Sequence, residues 1–148
     1  MTGAIAHLDA LLKTVPPRLA DLTDDAVALK PAPNRWSKKE ILGHLIDSAA
    51  NNHQRFVRAQ GTPLLEFPPY EQEFWVATQS YATEPWPDLV NLWLLLNRHL
   101  LHVMKAMPAA VFSHQCVIGG RPAVTLEALA DAYLRHVDLH LSQLMPVA

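Results

Sequence analysis

The chain has 148 residues, half of them hydrophobic and 18% charged, with a formal net charge of −2. This is the apolar content of a single domain with a sizeable core, and no repeat, low-complexity tract or linker divides residues 1–148. The balanced charge excludes the basic field that grips a nucleic-acid backbone. The longest apolar run, Leu92 to Leu96, falls far short of the roughly 20 residues that span a bilayer.

Twelve prolines against five glycines punctuate the chain. Proline is excluded from helix interiors, so the stretches between proline clusters are the predicted helices. The first runs from about Gly3 to Val15, with Ile5, Leu8, Leu11 and Leu12 on one face, and continues from Pro17 to Leu22 after a kink. Its opening, MTGAIAHLDALLK, has no basic lead and carries Asp9 in its apolar stretch, so no secretory signal is expected. The second helix has the clearest start. Ser37 and Glu40 form a capping box, Trp36 and Ile41 a hydrophobic staple, and Gly61 fits the position just past its end near Gln60. A proline-rich loop follows, then a short helix from Tyr70 to Ser80. Pro87 suits the first turn of a long third helix ending near Met107. Residues 113–124 hold Gly119-Gly120 between short apolar pairs, a hairpin-like connection. Thr125 caps a final helix to about Met145. The expected fold is all-α: a four-helix bundle with a short extra helix and one long connection, its core being the usual place for a cofactor.

Eight histidines stand out. Imidazole is the commonest metal ligand. His136 and His140 are one turn apart on the final helix and share a face. With so many histidines such a pair arises easily by chance, and the plainer reading is two hydrogen-bonded residues at a helix seam. Tyr133 and Leu129 behind them and Leu144 ahead place the pair at the edge of the apolar stripe, facing the bundle. On the second helix a polar stripe of Glu40, His44, Asp47, Ser48, Asn51 and Arg55 runs beside Ile41, Leu45, Ala49, Asn52 and Phe56. His44 can therefore point inward to meet the pair. Glu40 or Asp47, each about one turn away, could accept its other ring N–H. Asn97 lies on the inward face of the third helix. A structural hydrogen bond is favoured for it over a ligand role. His99 and His102 fall toward solvent; His7, His53 and His114 have no partner pattern.

The run Trp36-Ser37-Lys38-Lys39-Glu40-Ile41-Leu42-Gly43-His44-Leu45-Ile46-Asp47-Ser48 resembles the first metal motif of the DinB-like superfamily. Arg135 to Leu144, with H-x-x-x-H followed by Gln143, is similar to its second. The order and spacing of the helices fit as well. The resemblance implies an up-down-down-up bundle in which His44, His136 and His140 bind one divalent metal per chain, zinc or nickel foremost, with iron also allowed. It further implies metal-dependent chemistry on a small molecule, such as transfer of a low-molecular-weight thiol, and the segment Tyr70 to Trp75 resembles a loop found near the metal in part of the family.

Three imidazoles and an open position make a catalytic rather than a structural arrangement. A hydrolase would need a free general base, and Glu40 and Asp47 both have other employment in this reading. Thiol transfer asks less of the protein, and Asn51, Arg55, Gln72 and Asn97 are polar enough to bind the thiol, with Tyr133 beside them. Metal-dependent hydrolysis, or a non-catalytic metal-binding or structural bundle, are the alternatives. No Glu-x-x-His pair of a di-iron bundle, H-E-x-x-H, Walker A or G-x-G-x-x-G motif occurs. The lone Cys116 excludes an internal disulfide, reads as a buried small hydrophobe and fits a reducing cytoplasm. No Lys or Arg lies between Ala59 and Asn97, whereas Arg55 and Arg58 belong to a basic segment. Solvated faces of opposite sign are the favoured explanation; the functional alternatives are complementary surfaces in a homodimer or an anionic substrate drawn to Arg55 and Arg58. Leu92 to Leu96, with the Trp75 and Trp86 region, predicts an apolar surface covered in a homodimer.

Overall fold

The computed structural model describes residues 1–146. Four long helices carry the fold: α1 (Thr2–Ala20), α3 (Lys38–Gln60), α5 (Trp86–Ala106) and α6 (Leu126–Leu144), with the short α2 (Asp24–Ala28) and α4 (Gln72–Thr78) between them. Side-chain contacts give their directions. The Met1 ammonium meets Glu127 and His7 meets Asp138, so α1 and α6 run parallel. Asp9 meets Lys105 and the Leu19 carbonyl meets Trp86, so α5 runs against α1. Lys38 meets the Leu144 carbonyl and His44 meets His136, so α3 runs against α6. The bundle is therefore up-down-down-up, and α3 lies between α5 and α6.

The capping box forms as expected. The Ser37 amide donates to Glu40 Oε2 at 2.8 Å, and Ser37 Oγ accepts from the Glu40 amide at 3.3 Å. Thr125 Oγ1 accepts from the Ala128 amide and starts α6. Two helix boundaries differ from expectation. α1 passes through Pro16 and Pro17 without ending; Val15 and Leu19 are both buried, so core packing on one continuous face outweighs the amide bonds lost to proline. Gly61 ends α3 at a φ of −87°, a right-handed conformation that does not need glycine.

The fold is not strictly all-α. Strands β1 (Leu64–Phe67), β2 (Gln115–Ile118) and β3 (Val124–Thr125) form a small sheet in that order. β1 pairs parallel to β2, and β2 antiparallel to β3. The expected hairpin-like connection is thus real, but the proline-rich loop supplies a third strand. Gly119 and Gly120 turn the hairpin with φ of +60° and +70°, where a side chain is strained.

Trp93, Phe56, Leu8, Leu45 and Leu100 are fully buried at the centre of the bundle. Asn97 is buried among them. Its amide donates to the Trp93 carbonyl at 2.9 Å, and its Oδ1 accepts from the Tyr133 hydroxyl. The expected apolar surface needs one correction. Leu92 and Leu95 are exposed, but Trp86 is buried with its indole N–H on the Leu19 carbonyl, so it contributes nothing to that surface. No helix among the described residues is long and apolar enough to cross a membrane.

Candidate metal centre

The capping box fixes the start of α3, and His44 follows about two turns later, fully buried. Trp36, just ahead of the helix, packs on its ring with centroids 5.0 Å apart. Opposite, α6 presents His136 and His140. One ligating nitrogen from each of the three histidines lies within 4.8 Å of the others. His44 Nε2 and His136 Nε2 are 2.9 Å apart.

The surroundings orient two of these rings, His136 and His140. His136 Nδ1 lies 3.2 Å from Ser48 Oγ, and His140 Nδ1 lies 2.9 Å from Gln143 Oε1. The amide oxygen can only accept, so His140 carries its proton on Nδ1 and leaves Nε2 as a lone pair. The serine hydroxyl can play the same part for His136. Orienting bonds of this kind on the remote nitrogen are typical of imidazoles that ligate a metal. Three neutral nitrogen donors converging from two helices fit a borderline divalent ion such as zinc or nickel.

The protonation states agree. Burial first, then the neighbouring His136 and His140, lower the His44 pKa to about 3. Burial first, then His140, lower that of His136 to about 4. Both rings are neutral at pH 7, the form that binds metal. In the unfolded chain they titrate near 6.5, so between 6.5 and the folded values the unfolded state binds more protons. The metal-free protein is expected to lose stability steadily as pH falls from 6.5 toward 4, with no contribution from these rings above 6.5. Urea midpoints at pH 7.5 and 4.5 measure the drop, and His44→Leu should shrink it.

Neither expected carboxylate serves His44. Glu40 is held by the Ser37 amide and by Lys30 at 3.0 Å. Burial raises its pKa, but these partners outweigh that and lower it overall. Asp47 Oδ1 accepts from Tyr81 Oη and Gln79 Nε2, both at 2.7 Å. The cause is Gly43. With no side chain there, the Tyr81 ring lies directly on the helix, and its hydroxyl reaches Asp47 one turn on. That places Asp47 on the α4 side of α3, away from the histidines. His44 Nδ1 accordingly has no partner among the described residues.

The remaining candidates divide. A cleft of roughly 430 Å³ opens beside His136, lined by Ser48, Asn52, Arg55, Tyr70, Gln72, Gly119, Arg121 and Tyr133 among others. Arg55, Gln72 and Tyr133 are thus brought together. Asn51 instead turns back to the Asp47 carbonyl, and Asn97 is spent inside the bundle. A second cavity of roughly 320 Å³ opens beside His140, lined by Arg35, Trp36, Glu73 and Gln143 among others. The three histidines thus stand between two cavities. Ser48 and Gln143 stand in the polar stripe and the final-helix motif without a role assigned from the sequence; their positions four residues after His44 and three after His140 place them on the ligand faces. Outside this centre, His99 and His102 are exposed as expected, and the His53 ring lies 5.1 Å from that of His99, tilted by 56°. His7 pairs with Asp138, His114 bonds the Ala59 carbonyl, and Cys116 is buried.

Solved structures share this architecture. YfiT from Bacillus subtilis, described as a probable metal-dependent hydrolase with an unusual four-helix bundle topology, superimposes with a TM-score of 0.83 at 18% identity, over 97% of this chain and 82% of that one. A mycothiol-dependent maleylpyruvate isomerase superimposes with a TM-score of 0.78 at 13% identity, over 99% of this chain but only 61% of the isomerase. No curated protein matches in sequence. The family model of the DinB superfamily matches residues 7–144. With that match over nearly its whole length, the chain belongs to the DinB superfamily.

Proposed function

We propose that this protein is a divalent-metal-dependent enzyme that transfers a low-molecular-weight thiol to a small electrophile. The observation that carries the reading is the placing of His44, His136 and His140 between two separate cavities, as a reaction of two small molecules requires. The three histidines would hold one zinc or nickel ion. When bound, such an ion favours thiolate over thiol. The protein's own part is positional. Ser48 and Gln143 keep the imidazoles in register. Gln72, Tyr70 and Asn52 offer hydrogen bonds to one reactant, and Trp36 and Ile41 give the other an apolar wall. In addition to an activated double bond, the S–C bond forms as the π pair moves to the neighbouring carbon. That carbon then takes a proton equivalent to the one the thiol loses.

The commitment of Glu40 to Ser37 and Lys30, and of Asp47 Oδ1 to Tyr81 and Gln79, supports thiol transfer over a carboxylate-assisted hydrolysis. Hydrolysis stands as the second reading on one observation: Glu73 borders the cavity beside His140. A panel of cellular thiols with 1-chloro-2,4-dinitrobenzene, run on zinc- and nickel-loaded protein, tests both. At least a tenfold acceleration is expected with one thiol, lost in His136→Ala. Cleavage of ester or amide probes without thiol acceleration would put hydrolysis in its place; neither activity would leave a binding protein.

A further inference from the structure

The cleft beside His136 runs along α3 past Ser48 and Asn52 to Arg55. Arg55 is only 9% exposed, and its Nε is buried without a hydrogen-bond partner among the described residues. No described carboxylate pairs with it. Its Cζ lies 5.4 Å from the centroid of the Phe67 ring. That contact serves the flat face of the guanidinium and leaves its N–H edge unserved. Buried charges in proteins are nearly always paired, because a lone one loses its hydration for nothing. Arg55 breaks that rule at the wall of a cleft adjoining the three histidines.

We infer that Arg55 recognises a carboxylate on the small molecule that occupies this cleft. The inference deepens the function proposed above and rests on it for treating the cleft as a substrate site. The chemistry of the walls selects a carboxylate. One buried positive charge is balanced by one negative charge. Arg121, at the mouth, is exposed and already solvated. Ile118, Leu129 and Ala132 are apolar, and Asn52 and Gln72 are neutral, so a phosphate dianion would concentrate a second charge at the guanidinium with nothing buried to meet it, whereas the second carboxylate of a dicarboxylate lies several carbons away. A carboxylate lying side-on to the guanidinium uses Nε and one terminal N–H together, and Nε is the atom left unpartnered. Arg55 lies seven residues beyond Ser48, about 10 Å along the helix. A carboxylate held there leaves the other end of a chain several carbons long beside His136.

Calorimetric titration of the full, metal-free chain with glutarate at low salt tests this, with glutaramide as the uncharged analogue. Glutarate should bind and glutaramide should not. Arg55→Met, which keeps an apolar stem out to the position of Nε but removes the guanidinium that lies over Phe67, should weaken glutarate at least tenfold. It should also leave the melting temperature of the ligand-free protein unchanged or higher, since an unpaired buried charge has gone, while abolishing the rise that glutarate causes. A purely structural arginine would instead give a lower melting temperature with the glutarate-induced rise intact, and that result overturns the inference. So does unchanged affinity in Arg55→Met, equal binding of glutaramide, or displacement of glutarate by an equal concentration of inorganic phosphate. The carboxylate can arrive on the thiol or on its acceptor. Tenfold tighter binding of 6-mercaptohexanoate than of 6-mercaptohexanol to zinc-loaded protein, lost in Arg55→Met, assigns it to the thiol; equal binding assigns it to the acceptor. The glutarate titration needs neither metal nor turnover, so its failure is distinct from failure of the thiol assay.

Discussion

Replacing His44, His136 or His140 with alanine is expected to empty the protein of the one divalent ion per chain that the proposed centre would hold. Each supplies one of only three nitrogen donors, and the two left behind cannot hold an ion against dialysis. The loss should exceed the 10–100-fold typical of removing a group that merely orients a ligand. Ser48→Ala and Gln143→Ala, which free the Nδ1 positions of His136 and His140, should fall within that range. His99→Ala and His102→Ala change exposed residues of α5 and should keep full occupancy. Elemental analysis after exhaustive dialysis, followed by competition with a chelator, orders the variants. Full occupancy in His140→Ala would reject the centre. Chelation should not melt the helices, because the bundle has its own apolar core, unlike a zinc finger. Circular dichroism before and after chelation reports that directly.

Gly43→Ala should be the most damaging single methyl group in the chain. A Cβ there would stand 2.1 Å from Cδ2 of Tyr81 and 2.3 Å from its Cγ, well inside van der Waals contact. The tyrosine must move as a ring, and its hydroxyl then leaves Asp47, whose carboxylate is already pushed toward the protonated form by burial, against the pull of Tyr81 and Gln79. Overpacking together with a deserted buried acceptor amounts to roughly 2–4 kcal/mol. That exceeds the ~1 kcal/mol gained from alanine's better helix propensity. Urea unfolding measures the difference. Tyr81→Phe, which removes only the hydroxyl, should cost less than Gly43→Ala; an equal or greater cost would show that the packing on Gly43 matters little.

Much of this was readable from residue order. The capping box at Ser37 and Glu40, the apolar faces of the four long helices, and the one-turn spacing of His136 and His140 are local patterns, each decided within a few residues. What escaped reading is non-local. β1 is four residues in a proline-rich stretch, and it is a strand only because β2, some 50 positions later, offers a parallel edge. The partner of Asp47 could not be found by helical spacing either. Spacing put His44 within reach, but the preference for Tyr81 depends on the missing side chain at Gly43 and on a 3₁₀ turn at Tyr81–Thr83. Arg55 had the opposite history. Its place in a basic segment suggested a solvated face, whereas β1 and the loop after it wrap Phe67 and Tyr70 around it and bury it.

The crossed connections of the bundle also change what an ion does to the chain as a polymer. His44 and His136 are 92 residues apart in sequence, so a shared ion closes a loop of that size. Before α3 and α6 meet, only His136 and His140 can hold an ion together, one turn apart on a single helix. Nearly all of the binding energy therefore belongs to the closed bundle. Loop-closure entropy grows only slowly with length, roughly as 1.5RT ln n, so a clasp this long restricts the open chain not much more than a shorter one. Its larger effect would be kinetic: with an ion held by the three histidines, pulling α6 away from α3 would have to break that coordination first, which would slow unfolding more than it hastens folding.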